Sequence, residues 1–190
     1  MISRFVLNAL DEISLSELEK FVNKLVSIYY DSKKILVIGA GRSGLIGRAF
    51  AMRLAHLGFN VYVFGETITP ALSAGDVLIA ISGSGRTKLV VTAAEVGKSI
   101  GALVIGITSY PDSPLGQLSD LIVKVPGRTK VSFEDDYNVR QLKGIYEPLA
   151  PLGTLFEITA LVLLDSVISE LMVRLGKTEE DLRMRHANIE

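Results

Sequence analysis

The sequence Lys-Ile-Leu-Val-Ile-Gly-Ala-Gly-Arg-Ser-Gly at positions 34–44 decides the fold class. The apolar run after Lys34 is typical of a strand that is buried on both faces of a sheet. The glycine pattern from Gly39 to Gly44 follows this run, and a helical spacing of apolar residues begins directly after it, over 45–57. A buried strand, a tight glycine turn and a helix together predict one unit of an α/β fold with a parallel sheet.

Strand and helix patterns alternate along much of the remaining chain. We predict four further strands, over 61–64, 77–81, 103–107 and 121–125. We also predict two further helices, over 14–30 and 87–100. Gly58 predicts a helix end, and Lys124 predicts that the fifth strand lies at a sheet edge. The fold class is therefore a three-layer α/β/α sandwich with a five-stranded parallel sheet, in the flavodoxin-like order 2-1-3-4-5. We expect one domain with a helical segment (1–33), a core (34–175) and a tail (176–190), in which Thr178 starts a short helix with an acidic first turn.

Composition and charge exclude several functional classes. The 190 residues carry 20 basic and 21 acidic side chains, and 48% of them are apolar, which predicts a folded core and argues against a nucleic-acid partner. The absence of cysteine excludes disulfides and thiolate chemistry, and two histidines cannot form a three-histidine metal centre within one chain. The sequence contains neither an apolar run of about 18 residues nor a signal-peptide pattern, so we expect a cytoplasmic protein without a membrane partner.

Two later segments depart from the alternating pattern. Residues 126–152 predict a long loop, which is typical of a segment that covers a site or is mobile, and its acidic triplet at 134–136 favours a solvated loop over a cation site. Residues 155–175 predict a helix that is apolar on almost every side and therefore buried. In a chain of this length we expect the sheet to cover one side and another subunit the other, which predicts a homo-oligomer.

The first glycine loop, Gly39 to Gly44, has the spacing GxGxxG between a strand and a helix. This turn lets backbone N–H groups and a helix N-terminus approach a phosphate. One interpretation is a dinucleotide site, in which Glu66 would bind a ribose; another is a small-residue turn that serves packing alone.

The second loop, Ser82-Gly-Ser-Gly-Arg-Thr87, also lies between a strand and a helix. Its hydroxyl groups, its glycines and the helix N-terminus suit a phosphomonoester, although a turn capped by Thr87 is the simpler alternative. The order 2-1-3-4-5 makes the first and third strands neighbours, so both loops flank one crevice at their carboxyl ends. Two such loops favour a small sugar phosphate over a dinucleotide.

The second loop, together with Ser43, resembles the sugar isomerase (SIS) domain family. Five further segments resemble the 6-phospho-3-hexuloisomerases within that family, namely those at 41–44, 52–58, 65–67, 151–157 and 185–190. The resemblance implies interconversion of 3-hexulose 6-phosphate and fructose 6-phosphate through an enediol(ate), without cofactor or metal. It also implies a homotetramer and a place in the ribulose monophosphate pathway. Arg86 departs from the pattern, because many SIS domains carry glutamate there.

The resemblance also implies roles for individual residues. The phosphate would be bound by the residues of the hydroxyl loop and by Ser43, namely Ser43, Ser82, Gly83, Ser84, Gly85, Arg86 and Thr87. Glu157 would move the proton and His186 would assist, with the tail placed to reach a neighbouring subunit's crevice.

Several of these roles have alternatives. The sequence Thr154-Leu-Phe-Glu157 is also a capping box, and His186 could be a surface histidine. Arg42 and Arg48 could neutralise the phosphate or the enediolate or be surface charges, and His56 could approach the site or pack in the core. The functional alternatives are another SIS isomerase, a non-catalytic sugar-phosphate sensor and, third, a dinucleotide-dependent oxidoreductase.

Overall fold

The computed structural model of the chain describes residues 2–127 and 153–186. Within these ranges the helices and strands alternate as the sequence predicts. In chain order they are α1 (Ile2–Asp11), α2 (Leu15–Tyr30), β1 (Lys34–Gly39), α3 (Arg42–Leu57), β2 (Asn60–Val63), β3 (Val77–Ile81), α4 (Lys88–Ser99), β4 (Leu103–Thr108), α5 (Pro114–Leu118), β5 (Leu121–Lys124), α6 (Thr154–Leu175) and α7 (Glu179–Arg183).

The five strands form one parallel sheet in the order β2-β1-β3-β4-β5. The predicted fold class, strand order and edge position of β5 are therefore confirmed. In the central register Gly39 pairs with Ile81, and Ile81 pairs with Ile107. The strands β1, β3 and β4 consequently end at nearly the same level, and the loops that follow them meet at one edge of the sheet.

The two faces of the sheet pack against different helices because successive strand residues point to opposite sides. Ile35, Val37 and Ile79 pack with residues of α2, α3 and α6. Leu36 and Leu78 pack with α4 and α5 on the other face. This arrangement is the predicted α/β/α sandwich.

Helix α6 keeps one exposed stripe within the single chain. It packs against α1, α2 and α3 and buries ten residues, but Leu161 and Val162 remain 37% and 38% exposed. Asp165 and Ser166 follow four residues after them, so these four side chains share one outward stripe of the helix. This exposed stripe is the side for which another subunit was predicted as the cover, and that cover stays a prediction.

Two helices, α1 and α5, were not predicted individually, although α1 lies in the expected helical segment. Helix α5 is only five residues long and begins behind Ser113, whose side chain accepts a hydrogen bond from the Gly116 N–H. Such a short turn has too few residues for a recognisable period. Within the two described ranges, no helix has both the length and the apolar content that crossing a bilayer requires.

Candidate active site

A polar pocket lies at the carboxyl edge of the sheet, where β1 and β3 end. It is lined by the two glycine loops and by the first turn of α6. The described residues that line it are Ala40, Ser43, Ile81, Ser82, Gly83, Ser84, Thr87, Gly153, Phe156 and Glu157. The two loops therefore flank one crevice, as the strand order predicts, and Glu157 is the charged member of this lining.

The first loop is a tight turn that leaves no room for a side chain at Gly39 or Gly44. A Cβ atom on Gly39 would lie 2.7 Å from the Ser43 carbonyl group, and a Cβ on Gly44 would lie 2.8 Å from the Gly39 oxygen. Gly41 caps the helix with φ 57°. Ser43 consequently sits in the first turn of α3, where the N–H groups have no partner within the helix.

The second loop gathers three hydroxyl groups beside the start of α4. Ser82 and Ser84 are almost fully buried, and the Ser82 Oγ lies 3.0 Å from the Thr87 Oγ1. The Arg86 N–H donates to the Ser84 Oγ over 3.3 Å. Thr87 occupies the predicted N-cap position, but its side chain makes no capping bond and contacts Ser82 instead. The Ser82 and Thr87 hydroxyl groups thus face each other, and all three residues line the pocket.

The backbone of the second loop is fixed from behind by β4 and α5. The Gly83 carbonyl accepts from the Ser109 N–H over 3.2 Å, and the Gly85 carbonyl accepts from the Leu115 N–H over 3.0 Å. Gly85 has φ 63°, and a Cβ there would lie 1.8 Å from the Ser113 Oγ. The loop therefore has little freedom to change its shape.

Glu157 reaches the pocket from the first turn of α6. Its side chain is 11% exposed, and its Oε2 forms an ion pair with the Arg42 Nε at 2.5 Å. This approach is not aligned as a hydrogen bond. A Cβ atom on Gly153 would lie 2.7 Å from the Glu157 Oε1, so the glycine leaves room for the carboxylate.

The predicted capping box at the start of α6 is wrong. Gly153, with φ 77°, occupies the N-cap position, and no side-chain capping bond is made. Thr154 lies inside the helix, where its buried Oγ1 has no hydrogen-bond partner among the described residues. The glycine displaces the cap by one residue, which leaves the Glu157 carboxylate available to the pocket.

Arg48 and Arg86, like Arg42, are not among the residues that line the pocket. Arg48 forms an ion pair with Glu66, and both side chains are about half exposed. This pairing uses the carboxylate that was predicted as a ribose ligand and removes Arg48 from the crevice. Arg86 is exposed, and its backbone rather than its side chain bonds to Ser84.

The two histidines lie together, away from the pocket of their own chain. Their ring centroids are 5.0 Å apart. His56 is in the last turn of α3, and Ser43 is in its first turn, so the rise of the helix separates them by about 20 Å. The structure therefore does not bring His56 to the pocket of its own chain. His186, beside it, is also distant from that pocket, and its place at a neighbouring subunit's crevice stays a prediction.

The structure describes no cluster of metal ligands and does not describe the acidic part of the long loop. Among the residues that it describes, no group of three or more His, Asp or Glu side chains could bind a metal ion. The acidic triplet at 134–136 lies outside these residues.

Sequence reasoning missed two parts of the pocket. It did not predict that Gly153 borders the carboxylate or that Phe156 packs on the second loop, where a Cβ on Gly83 would lie 2.8 Å from the Phe156 Cδ1. A glycine directly before a helix was the available signal for the first. Nothing in the local pattern distinguishes Phe156 from an ordinary core residue.

Comparisons with known proteins agree with this geometry. The sequence profile of the SIS domain matches residues 28–157. The chain is 39% identical over 183 residues to the 3-hexulose-6-phosphate isomerase of Bacillus subtilis, covering 96% of this chain and 92% of that protein. It is 36% identical over 192 residues to the enzyme of that name from Methylomonas aminofaciens, covering 97% and 100% of the two chains.

A solved structure is also similar to this chain over its whole length. The crystal structure of a hypothetical protein from Methanococcus jannaschii, reported to infer a molecular function of 3-hexulose-6-phosphate isomerase, superposes with a TM-score of 0.80. The two chains are 37% identical, and the match covers 100% of this chain and 97% of that one.

Proposed function

The chain belongs to the SIS domain family, and we propose that it is a sugar-phosphate isomerase that interconverts 3-hexulose 6-phosphate and fructose 6-phosphate. One observation carries the proposal beyond the family. A single pocket combines a loop of hydroxyl groups with one nearly buried carboxylate, which are the groups that a phosphate and a proton transfer require.

The phosphate would bind between the two glycine loops. Ser43, Ser82, Ser84 and Thr87 supply hydroxyl groups, and the N-termini of α3 and α4 supply backbone N–H groups and favourable partial charge. Ala40 and Ile81 line the pocket without adding a charge that would repel the ligand. The fixed backbone of the second loop keeps these donors in place before the ligand arrives, which reduces the ordering cost of binding.

The reaction moves a carbonyl group between neighbouring carbons. Glu157 removes the proton on C2 of the 3-hexulose, the electron pair of the C–H bond forms the C2–C3 double bond, and the C3 oxygen becomes an enediolate oxygen. The proton of the C2 hydroxyl then passes to the C3 oxygen, C2 becomes the new carbonyl carbon, and protonated Glu157 returns a proton to C3. One carbon is oxidised as its neighbour is reduced, so the balance needs no external redox partner.

We further propose that the working enzyme is a homotetramer in which His186 assists at a neighbouring subunit's site. Two observations support this. Both histidines lie about 20 Å along α3 from their own pocket, and α3 and α6 present exposed apolar side chains, among them Leu45 and Met52.

A mixing experiment tests the shared site. Glu157→Gln and His186→Ala subunits, each inactive alone, are mixed and allowed to exchange, and the mass in solution is measured by light scattering. We expect activity to return, because some mixed sites combine an intact Glu157 with an intact His186. Mixed oligomers that stay inactive contradict the shared site.

The activity itself is tested with fructose 6-phosphate in heavy water, without added nucleotide or metal. We expect deuterium on C3 and formation of the 3-ulose, both observed by NMR. Deuterium on C1 instead would identify an aldose–ketose isomerase of the same family. Binding without any exchange would identify a sugar-phosphate sensor and refute the proposed activity.

A further inference from the structure

The ion pair between Arg42 and Glu157 joins the first glycine loop to the start of α6. The Arg42 Nε lies 2.5 Å from the Glu157 Oε2. On the other side of the carboxylate, the absent side chain of Gly153 leaves the space that Oε1 occupies. The carboxylate is therefore held between a guanidinium group and a glycine backbone, in a lining that is otherwise uncharged among the described residues.

We propose that Arg42 is the positioning residue for Glu157, which it orients towards the substrate and keeps ionised as the base of the reaction. The inference rests on the proposed function and names the residue that holds the base in position. Arg42 is suited to this because it is the first residue of α3 and its backbone is fixed by the tight turn at Gly39 and Gly41. A planar guanidinium group also fixes a carboxylate more rigidly than a lysine ammonium group does.

The pair also has an electrostatic consequence during the reaction. Before proton transfer, the charge of Arg42 is balanced by the Glu157 carboxylate. When Glu157 takes the proton it becomes neutral, and at the same moment negative charge develops on the substrate oxygen. The positive charge of Arg42 then remains in the site without its former counter-charge, which favours the enediolate.

The same helix provides a matched control. Arg48 is also paired with a glutamate, Glu66, and its side chain is 54% exposed against 53% for Arg42. The pairs differ in the glutamate, because Glu157 is 11% exposed and lines the pocket whereas Glu66 is 44% exposed and does not. A half-exposed arginine contributes little to folding, so either residue can be replaced without loss of the fold.

The kinetic test compares Arg42→Met, Arg42→Lys and Arg48→Met. We expect Arg42→Met to lower kcat about 100-fold with KM changed less than about threefold, because a misplaced base mainly affects the transition state. The acidic limb of the kcat/KM profile should move to higher pH, since the positive charge beside the carboxylate has been removed. Arg42→Lys should recover part of kcat, and Arg48→Met should match the wild type.

Arg86 is the other charged residue on the two glycine loops, so Arg86→Met serves as a second comparison. We expect it to leave the acidic limb of the profile unchanged. A shift of that limb with Arg86→Met but not with Arg42→Met would overturn the assignment.

A measurement without turnover separates this inference from the proposed function. In protein with ¹³C-labelled glutamate side chains, the Glu157 carboxyl signal is titrated in the wild type and in Arg42→Met, and binding of inorganic phosphate is measured in both. We expect the titration midpoint to rise in the variant while phosphate affinity stays within about twofold. An unchanged midpoint overturns the role of Arg42, whereas a wild type that shows no deuterium exchange refutes the isomerase activity alone.

Discussion

The polar side chains at the two edges of the parallel sheet differ in how many hydrogen bonds they make within the chain. At the amino edge, before β3 and β5, the buried Asp76 and the more exposed Asp120 each accept at least one backbone N–H and form an ion pair with a lysine. At the carboxyl edge, serine and threonine hydroxyl groups face one another, and the buried Thr154 Oγ1 has no partner among the described residues. One edge is saturated with hydrogen bonds, and the other keeps capacity for a ligand.

Asp76 shows how complete the saturation is. Its Oδ1 accepts from the Lys34 N–H at 3.1 Å, and its Oδ2 accepts from the Ser73 N–H at 2.8 Å and pairs with the Lys34 Nζ at 3.2 Å. Burial raises the pKa of Asp76, but hydrogen bonds from Ser73 and Lys34 and the Lys34 charge outweigh it and hold the pKa below its ordinary value. Asp76 therefore joins the starts of β1 and β3 and stabilises the folded chain.

The difference indicates that the amino edge stabilises the fold and that the carboxyl edge binds a ligand. Buried polar groups that satisfy each other stabilise a fold, whereas buried groups that lack partners are typical of a site that awaits a ligand. Substitutions at the carboxyl edge should therefore change activity more than stability, and those at the amino edge should do the reverse.

The largest effect should come from Glu157→Gln. The amide cannot accept the proton, so we expect activity to fall by about 10³-fold or more while the free energy of unfolding stays within about 1 kcal/mol. Deuterium exchange into fructose 6-phosphate and urea denaturation measure the two quantities. Glu66→Gln, which alters the carboxylate outside the pocket, is the control. Retained exchange in Glu157→Gln would show that another group is the base.

Gly83→Ala should give the next largest effect. The new methyl group would lie 2.8 Å from the Phe156 Cδ1, so the ring and the adjoining Glu157 must shift. We expect about 100-fold lower activity and a free energy of unfolding lower by about 1–3 kcal/mol.

A second substitution checks the cause of that effect. Phe156→Leu in the Gly83→Ala background should restore part of the activity, because the smaller side chain makes room for the methyl group. Full activity in Gly83→Ala would contradict the contact between the second loop and α6. A double variant whose activity is lower than the two single changes together predict would contradict it as well.

Asp76→Asn should destabilise the fold without affecting catalysis. The amide can no longer accept at both oxygens, so we expect the free energy of unfolding at pH 7 to fall by about 2–3 kcal/mol. The kcat should stay within twofold, since β3 alone separates Asp76 from the pocket by about 17 Å. Asp120→Asn, whose carboxylate is more exposed, should cost less. A loss of kcat in folded Asp76→Asn would contradict the division between the edges.

The pH dependence of this variant sharpens the test. The pKa of Asp76 is lowered in the folded chain, so its stabilisation is complete above the unfolded pKa of about 3.9 and is lost as pH falls through the lower folded pKa. The stability gap between wild type and Asp76→Asn should be constant from pH 7 to about pH 5 and shrink at lower pH. A gap that stays constant down to pH 3 would refute this role of the carboxylate.

The smallest effect should come from Ser84→Ala. Loss of one hydroxyl contact to the phosphate should raise KM about tenfold and leave stability nearly unchanged. The inhibition constant of inorganic phosphate, used as a competitive inhibitor, should rise by a similar factor. Ser99→Ala, at the exposed far end of α4, is the control. An unchanged KM would remove Ser84 from the phosphate site.

Much of the fold could be predicted because its signals are local. The apolar runs of β1 and β3 have the length and continuity of strands buried on both faces, and Gly58 ends α3 in the left-handed conformation that glycine favours. The cover predicted for the outward stripe of α6, another subunit, depends on contacts between chains and not on a local pattern.

The sequence by itself predicted the strands and the two glycine loops, and its resemblance to the SIS domains implied Glu157 as the base. Only the tertiary structure decided which charges meet there. It paired Arg42 with Glu157, paired Arg48 with Glu66, and placed His56 beside His186 far from their own pocket. The physical reason is that a strand or a turn follows from neighbouring residues, whereas the partner of a charged side chain depends on distances between elements that are remote in sequence.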